Sequence, residues 1–170
     1  MTDPHPSHPI ALAPPAISLA LVDLAECVCA ELAVTGAGPT CWCGLYPGEA
    51  VSWEYCENCG ADTCGMGYVR LAGVFPYDTF PLPTIDERCV RPLAWAVEVG
   101  ALRCVPQPAS GELLDPVSMS EVVLRQTLDA AALHRAMKCC GQDIAVERYV
   151  PVGPAGACVG GFWVGYLALV

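Results

Sequence analysis

Cysteine offers this chain more chemistry than any other residue type: twelve thiols stand in 170 residues, against three histidines. Cys41, Cys43, Cys56, Cys59 and Cys64 crowd into one short stretch, and Cys27, Cys29, Cys89, Cys104, Cys139, Cys140 and Cys158 are spread over the rest. A thiol can ligate a metal, close a disulfide, act as a nucleophile or fill a core as a small apolar side chain. Cys56-x-x-Cys59 with Cys41-x-Cys43 upstream offers four thiolates to a tetrahedral zinc, namely Cys41, Cys43, Cys56 and Cys59. A zinc ribbon repeats the C-x-x-C pair, however, and here the upstream pair has the wrong spacing. A thioredoxin-like centre needs its C-x-x-C between a strand and a helix, and no helical pattern follows Cys59. Disulfides, buried free thiols and zinc stay open, with no metal favoured. The disulfide candidates are Cys41, Cys43, Cys56, Cys59, Cys64, Cys89, Cys104, Cys139, Cys140 and Cys158. Cys27 and Cys29 are two apart on a predicted helix and point about 200° apart. They cannot hold one metal together there, and they read as core or interface filler.

Catalysis would need more than a thiol. A cysteine nucleophile wants a neighbouring base. His5 and His8 fall in a proline-rich segment, and His134 lies near an apolar helical arc and reads as a packed or partly exposed side chain. The chain has no Gly-x-Ser-x-Gly, phosphate-binding loop, His-Glu-x-x-His or paired-carboxylate cluster, and Gly65-Met66-Gly67 reads as a tight turn into a strand. The expectation is a protein without enzymatic activity, catalytic residues or a cofactor.

The elements that must position these side chains form one domain. Met1–Pro15 reads as a flexible arm and residues 16–170 as a single α+β unit. Ala16–Val34 is a predicted helix, with Ile17, Leu21, Leu24, Val28 and Leu32 at helical spacing, Pro15 before it and Gly36 after it. Ala50–Tyr55 and Gly67–Phe75 alternate as strands, and Pro76–Pro92 reads as a long loop. Leu93–Val105 is a long strand with Trp95, Val97 and Val99 on one face. A second helix runs from Ser118, boxed by Glu121, to Cys139-Cys140-Gly141. Its apolar arc is Val122, Val123, Ala130, Leu133 and Met137, with Glu121, Arg125 and Asp129 opposite. Tyr149–Gly161 is punctuated by proline and glycine and reads as a loop before a last strand, Phe162–Val170. The expected order is α-β-β-β-α-β, with a mixed or antiparallel sheet flanked by two main helices.

Composition narrows the partners. The net charge of −10 disfavours nucleic-acid binding, because phosphate affinity comes from lysine and arginine. It would suit a surface past which DNA slides without sticking. With 54% hydrophobic and only 15% charged residues, much of the surface is expected to meet other subunits. The longest apolar run, Val159–Val170, is too short for the roughly 20 residues of a spanning helix, so no membrane is expected. Met1–Pro15 lacks the basic start and apolar run of a secretory signal, which points to synthesis in a cytosol. Cytosolic disulfides are uncommon; a particle that later leaves the cell would let its thiols oxidise after release.

Three phrases carry a resemblance: Cys64-Gly-Met-Gly-Tyr-Val-Arg-Leu71, Leu93-Ala-Trp-Ala-Val-Glu-Val-Gly-Ala-Leu-Arg-Cys104 and Pro151-Val-Gly-Pro-Ala-Gly-Ala-Cys-Val-Gly-Gly-Phe-Trp163. From about Leu19 onward the chain resembles small neck and tail proteins of tailed phages of actinobacteria, and its element order resembles the tail terminator fold. The resemblance implies a virion subunit assembled in the bacterial host cytoplasm. Such subunits form a hexameric ring that caps the tail tube, binds the major tail tube protein and the head connector or stopper, and lets phage DNA pass through its lumen. It implies no catalytic residues. A head–tail stopper or connector ring is the alternative within that biology, and a zinc-stabilised binding module is the alternative outside it.

Overall fold

The structure, a computed structural model, describes residues 16–52, 64–84, 92–106, 115–140, 143–155 and 157–168. Two helices, α1 (Ala16–Ala33) and α2 (Pro116–Cys139), accompany six strands: β1 (Trp42–Leu45), β2 (Met66–Thr79), β3 (Leu82–Pro83), β4 (Leu93–Cys104), β5 (Ile144–Ala155) and β6 (Cys158–Ala168). The fold is α+β with a mixed sheet, as expected, ordered β1-β2-β4-β6-β5 with β3 paired to β2. Among the described strands only β1 runs parallel to its neighbour, and the other pairings are antiparallel.

Alternation along the strands divides the sheet into two faces. Val69, Val97, Val99 and Ala101 point to one face, where they join Leu24, Val28 and Leu32 of α1 and Ala132, Leu133, Ala136 and Met137 of α2 in the main core. Met66, Tyr68, Leu102 and Cys158 point to the other face and form a smaller core. Both helices therefore cover one face of the sheet. They run antiparallel: Cys27 is joined to Cys140, and Glu31 pairs with Arg135 at 3.0 Å. That ion pair is half-exposed on the arginine side and adds little. Trp95, which shares a strand face with Val97 and Val99, is only partly buried and packs against the core, while Val97 and Val99 are fully buried.

Several elements differ from the sequence reading, each for a local physical reason. Helix α2 starts before Ser118. Asp115 is its N-cap, its Oδ1 accepting from the Val117 and Ser118 amides at 2.9 and 3.0 Å, and Pro116 fills the first turn, where no amide donor is needed. Ser118 donates its hydroxyl to Asp115 Oδ2 at 2.6 Å instead of capping the helix itself. Val123, assigned to the apolar arc, is 57% exposed, and Asp129, assigned to the solvent side, is buried.

The expected loop Tyr149–Gly161 instead lies mostly within the strands of the β5–β6 hairpin. Pro151 and Pro154 are tolerated because β5 is the outermost strand and one side of its backbone owes no ladder bond. The ladder slips between Val152 and Ala155, where the Pro/Gly run lies. Strand β2 passes Phe75 and continues to Thr79, taking in the start of the expected Pro76–Pro92 loop and returning through β3. The four-residue β1 is a strand that the sequence reading did not assign. Residues 50–52 are not a strand, and the rest of the expected Ala50–Tyr55 strand lies outside the described residues.

Glycine is required where β2 begins. Gly65 has φ +96°, and a Cβ there would collide with the Leu102 carbonyl oxygen of β4. This close approach brings Cys64 beside Cys104.

Candidate functional site

Among the described residues most thiols are cross-links between elements. Cys27 of α1 joins Cys140 at the end of α2, with their Cα atoms 6.1 Å apart. Cys29 of α1 joins Cys43 of β1 across 5.6 Å, and Cys64 joins Cys104 of β4 across 5.7 Å. Cys41 and Cys158 are also disulfide-bonded, and Cys158 faces Cys104 in the β4–β6 ladder. Cys139, a disulfide candidate, is a free and exposed thiol. Cys56, Cys59 and Cys89 lie outside the described residues.

Cys27 and Cys29, read as filler, are bridge partners. Their 200° divergence on the helix sends one thiol to α2 and the other to β1. Of the four zinc candidates, Cys43 is committed to Cys29, so the oxidised chain cannot present all four thiolates. Among the described residues no group of three or more histidines, cysteines or carboxylates is placed to share a metal ion.

A buried ion pair, which the linear pattern hid, locks the frame. Arg103 of β4 grips Asp129 of α2 with two bonds of 2.7 Å, Nε to Oδ2 and Nη2 to Oδ1. Its Nη1 donates to the Gly38 and Pro39 carbonyls at 2.8 and 3.0 Å. One guanidinium thus ties the central strand, α2 and the loop after α1, with about 5% of either side chain exposed. His134 is exposed and rests its ring 5.0 Å from the Trp163 ring, while Trp163 Nε1 donates to the Ala130 carbonyl at 2.8 Å.

The face away from the helices carries a second charged pair. Arg70 Nε meets Glu98 Oε2 at 2.7 Å, and Arg70 Nη1 donates to the Gly48 carbonyl at 3.1 Å. Tyr68 stands next to this pair. Burial, then the Glu98 carboxylate, push its hydroxyl far above the ordinary value of 10.0, with Arg70 partly opposing. On the helix-covered face, burial and then Asp129 push Tyr149 up to about 12.

The unfolded chain ionises both phenols near pH 10, and the folded chain ionises them later. Their contribution is therefore fully present below pH 10 and is lost as pH rises through the folded values. Tyr68→Phe is expected to move the alkaline unfolding transition to higher pH, followed by circular dichroism alongside tyrosinate absorbance. An unchanged midpoint would remove Tyr68 from the account.

Among the described residues large apolar side chains are exposed at Leu19, Val22, Val34, Leu45 and Leu71, and in two further groups near opposite ends of β4. One surrounds the N-terminal half of α2, where Val117, Met119, Val123 and Leu124 are 69%, 41%, 57% and 59% exposed. It continues into a groove of about 200 Å³ between α2 and the β5–β6 hairpin. The other comprises Val74, Leu82 and Leu93 of β2, β3 and β4. The first adjoins Val105, just past the end of β4, and the second sits at its start. Twelve residues of β4 separate them by roughly 37 Å. No helix of the described residues is long and apolar enough to cross a membrane.

This arrangement offers cross-linked rigidity and two unlike sticky surfaces, and no assembled nucleophile, base and oxyanion donor is evident in the contacts described. No known protein family matches the chain, and a comparison with curated proteins finds no relative.

Proposed function

We propose that the chain is a structural virion subunit, a tail terminator that forms a closed hexameric ring between the tail tube and the head connector of a tailed phage. The observation that carries this reading is the pair of unlike apolar surfaces at opposite ends of β4. A subunit in a head-to-tail ring must bury two different patches, one against each neighbour, whereas a two-fold dimer needs only one self-complementary patch. The low charge supports the reading, and the net charge of −10 suits a lumen through which DNA passes without binding. Disulfides tie both helices and the central strand, giving a subunit able to keep its shape in a particle outside the cell. The partners are then further copies of the chain, the major tail tube protein and the head connector or stopper.

One native mass spectrum of the chain as purified, with neither oxidant nor reductant added, tests this, because it reports subunit number and bound metal together. A metal-free ring of six supports the terminator reading. A monomer carrying one zinc refutes it and makes the Cys41–Cys64 segment a metal-stapled binding module.

A further inference from the structure

We infer that the apolar groove beside α2 receives the Ile10–Pro15 segment of a second copy of this chain, an inference that rests on the ring reading above. The groove is walled by Val105, Met119, Val122, Val123, Val152 and Val159. Among the described lining residues the one polar side chain, Gln126, is already committed to the Gly160 carbonyl. The described walls therefore offer dispersion and desolvation with no charged anchor among them, which favours an apolar occupant.

The sequence supplies such an occupant. Ile10-Ala-Leu-Ala-Pro-Pro15 carries no charge and ends in two prolines, immediately before α1. A proline-bearing segment loses little backbone entropy on ordering, which favours docking in extended form.

Geometry decides which copy donates it. The helices are antiparallel, with Cys27 beside Cys140, so Ala16 lies beyond the C-terminal end of α2 while the groove lies at its N-terminal half. At 1.5 Å per helical residue, Ala16 is about 40 Å from Val123 of the same subunit. Six extended residues reach back from Ala16 by no more than about 20 Å. The segment falls short of its own groove by about half the distance. In a ring, where the head of one subunit meets the tail of the next, it projects toward a neighbour.

The test uses the full chain. A photo-cross-linking benzoylphenylalanine replaces Val123, which is exposed enough to accept it, and this chain is mixed with isotope-labelled unmodified chain. Irradiation followed by peptide mapping is expected to join position 123 to the labelled peptide containing Ile10–Pro15. Leu12→Asp in the labelled chain is expected to abolish that product. A ring that forms without this cross-link, or a cross-link to residues 107–114 of the same chain, overturns the inference and leaves the ring reading standing. A chain that stays monomeric and uncross-linked overturns both.

Discussion

Asp129→Ala is expected to destabilise the fold by about 3–5 kcal/mol, since it leaves the buried Arg103 guanidinium without its carboxylate. For a domain of this size the loss corresponds to a fall in Tm of roughly 10–15 °C. Two details make the site severe. Both carboxylate oxygens are engaged at 2.7 Å, and about 5% of either side chain reaches solvent, so water cannot replace the missing partner. The remaining Arg103 bonds, to Gly38 and Pro39, are to neutral carbonyls and do not balance the charge. Thermal and denaturant unfolding of the oxidised variant measure the effect. The double replacement Arg103→Met with Asp129→Leu removes both charges together, and it is expected to recover most of the loss. A single variant within about 1 kcal/mol of the parent would show that the pair is solvated, and would sink this description of the core.

Removing the Cys27–Cys140 bridge gives the second large effect. The bond closes a loop with a sequence separation of 113 residues, the widest of the described bridges. In the chain-entropy view a closure of that size is worth about 4–5 kcal/mol, through restriction of the unfolded chain. The Cys29–Cys43 and Cys64–Cys104 bonds fall within the same span and shorten the effective loop, so about 4 kcal/mol is the expected loss. The variant should carry alanine at both Cys27 and Cys140, because Cys139 is free beside Cys140 and would otherwise find a new partner. Its denaturant midpoint should drop while α1 and α2 persist by circular dichroism, since the helices also share Leu24, Val28, Leu133 and Met137. An unchanged midpoint would mean that this bridge is not formed in the folded protein.

The two predictions rest on features with different visibility in the sequence. Cysteine density left disulfides, buried free thiols and zinc open, and the partners are set by how α1 crosses α2 and β1. Cys27 finds its partner at the far end of a second helix, and no local spacing encodes that distance. Asp129 sits three residues before Ala132 and four before Leu133, so helical geometry places it beside the buried stripe. An acidic side chain in that place reads as solvent-facing until Arg103, whose presence on the covered face of β4 depends on strand register, is brought against it.

By itself the sequence determined the α+β class, helix α1 and its buried stripe of Leu24, Val28 and Leu32, most of α2, and the long central strand β4. These are legible because helix and strand periodicities repeat within a window of ten to twenty residues. Only the tertiary structure decided that Tyr149–Gly161 is mostly hairpin. The prolines that break an interior strand are harmless on an edge, and the edge position of β5 is a property of the whole sheet. It also decided which thiols meet, that Val123 faces out and Asp129 in, and that two apolar surfaces lie at opposite ends of β4. Each of these depends on elements far apart in the chain packing together, and a local pattern carries no information about which distant surface will arrive.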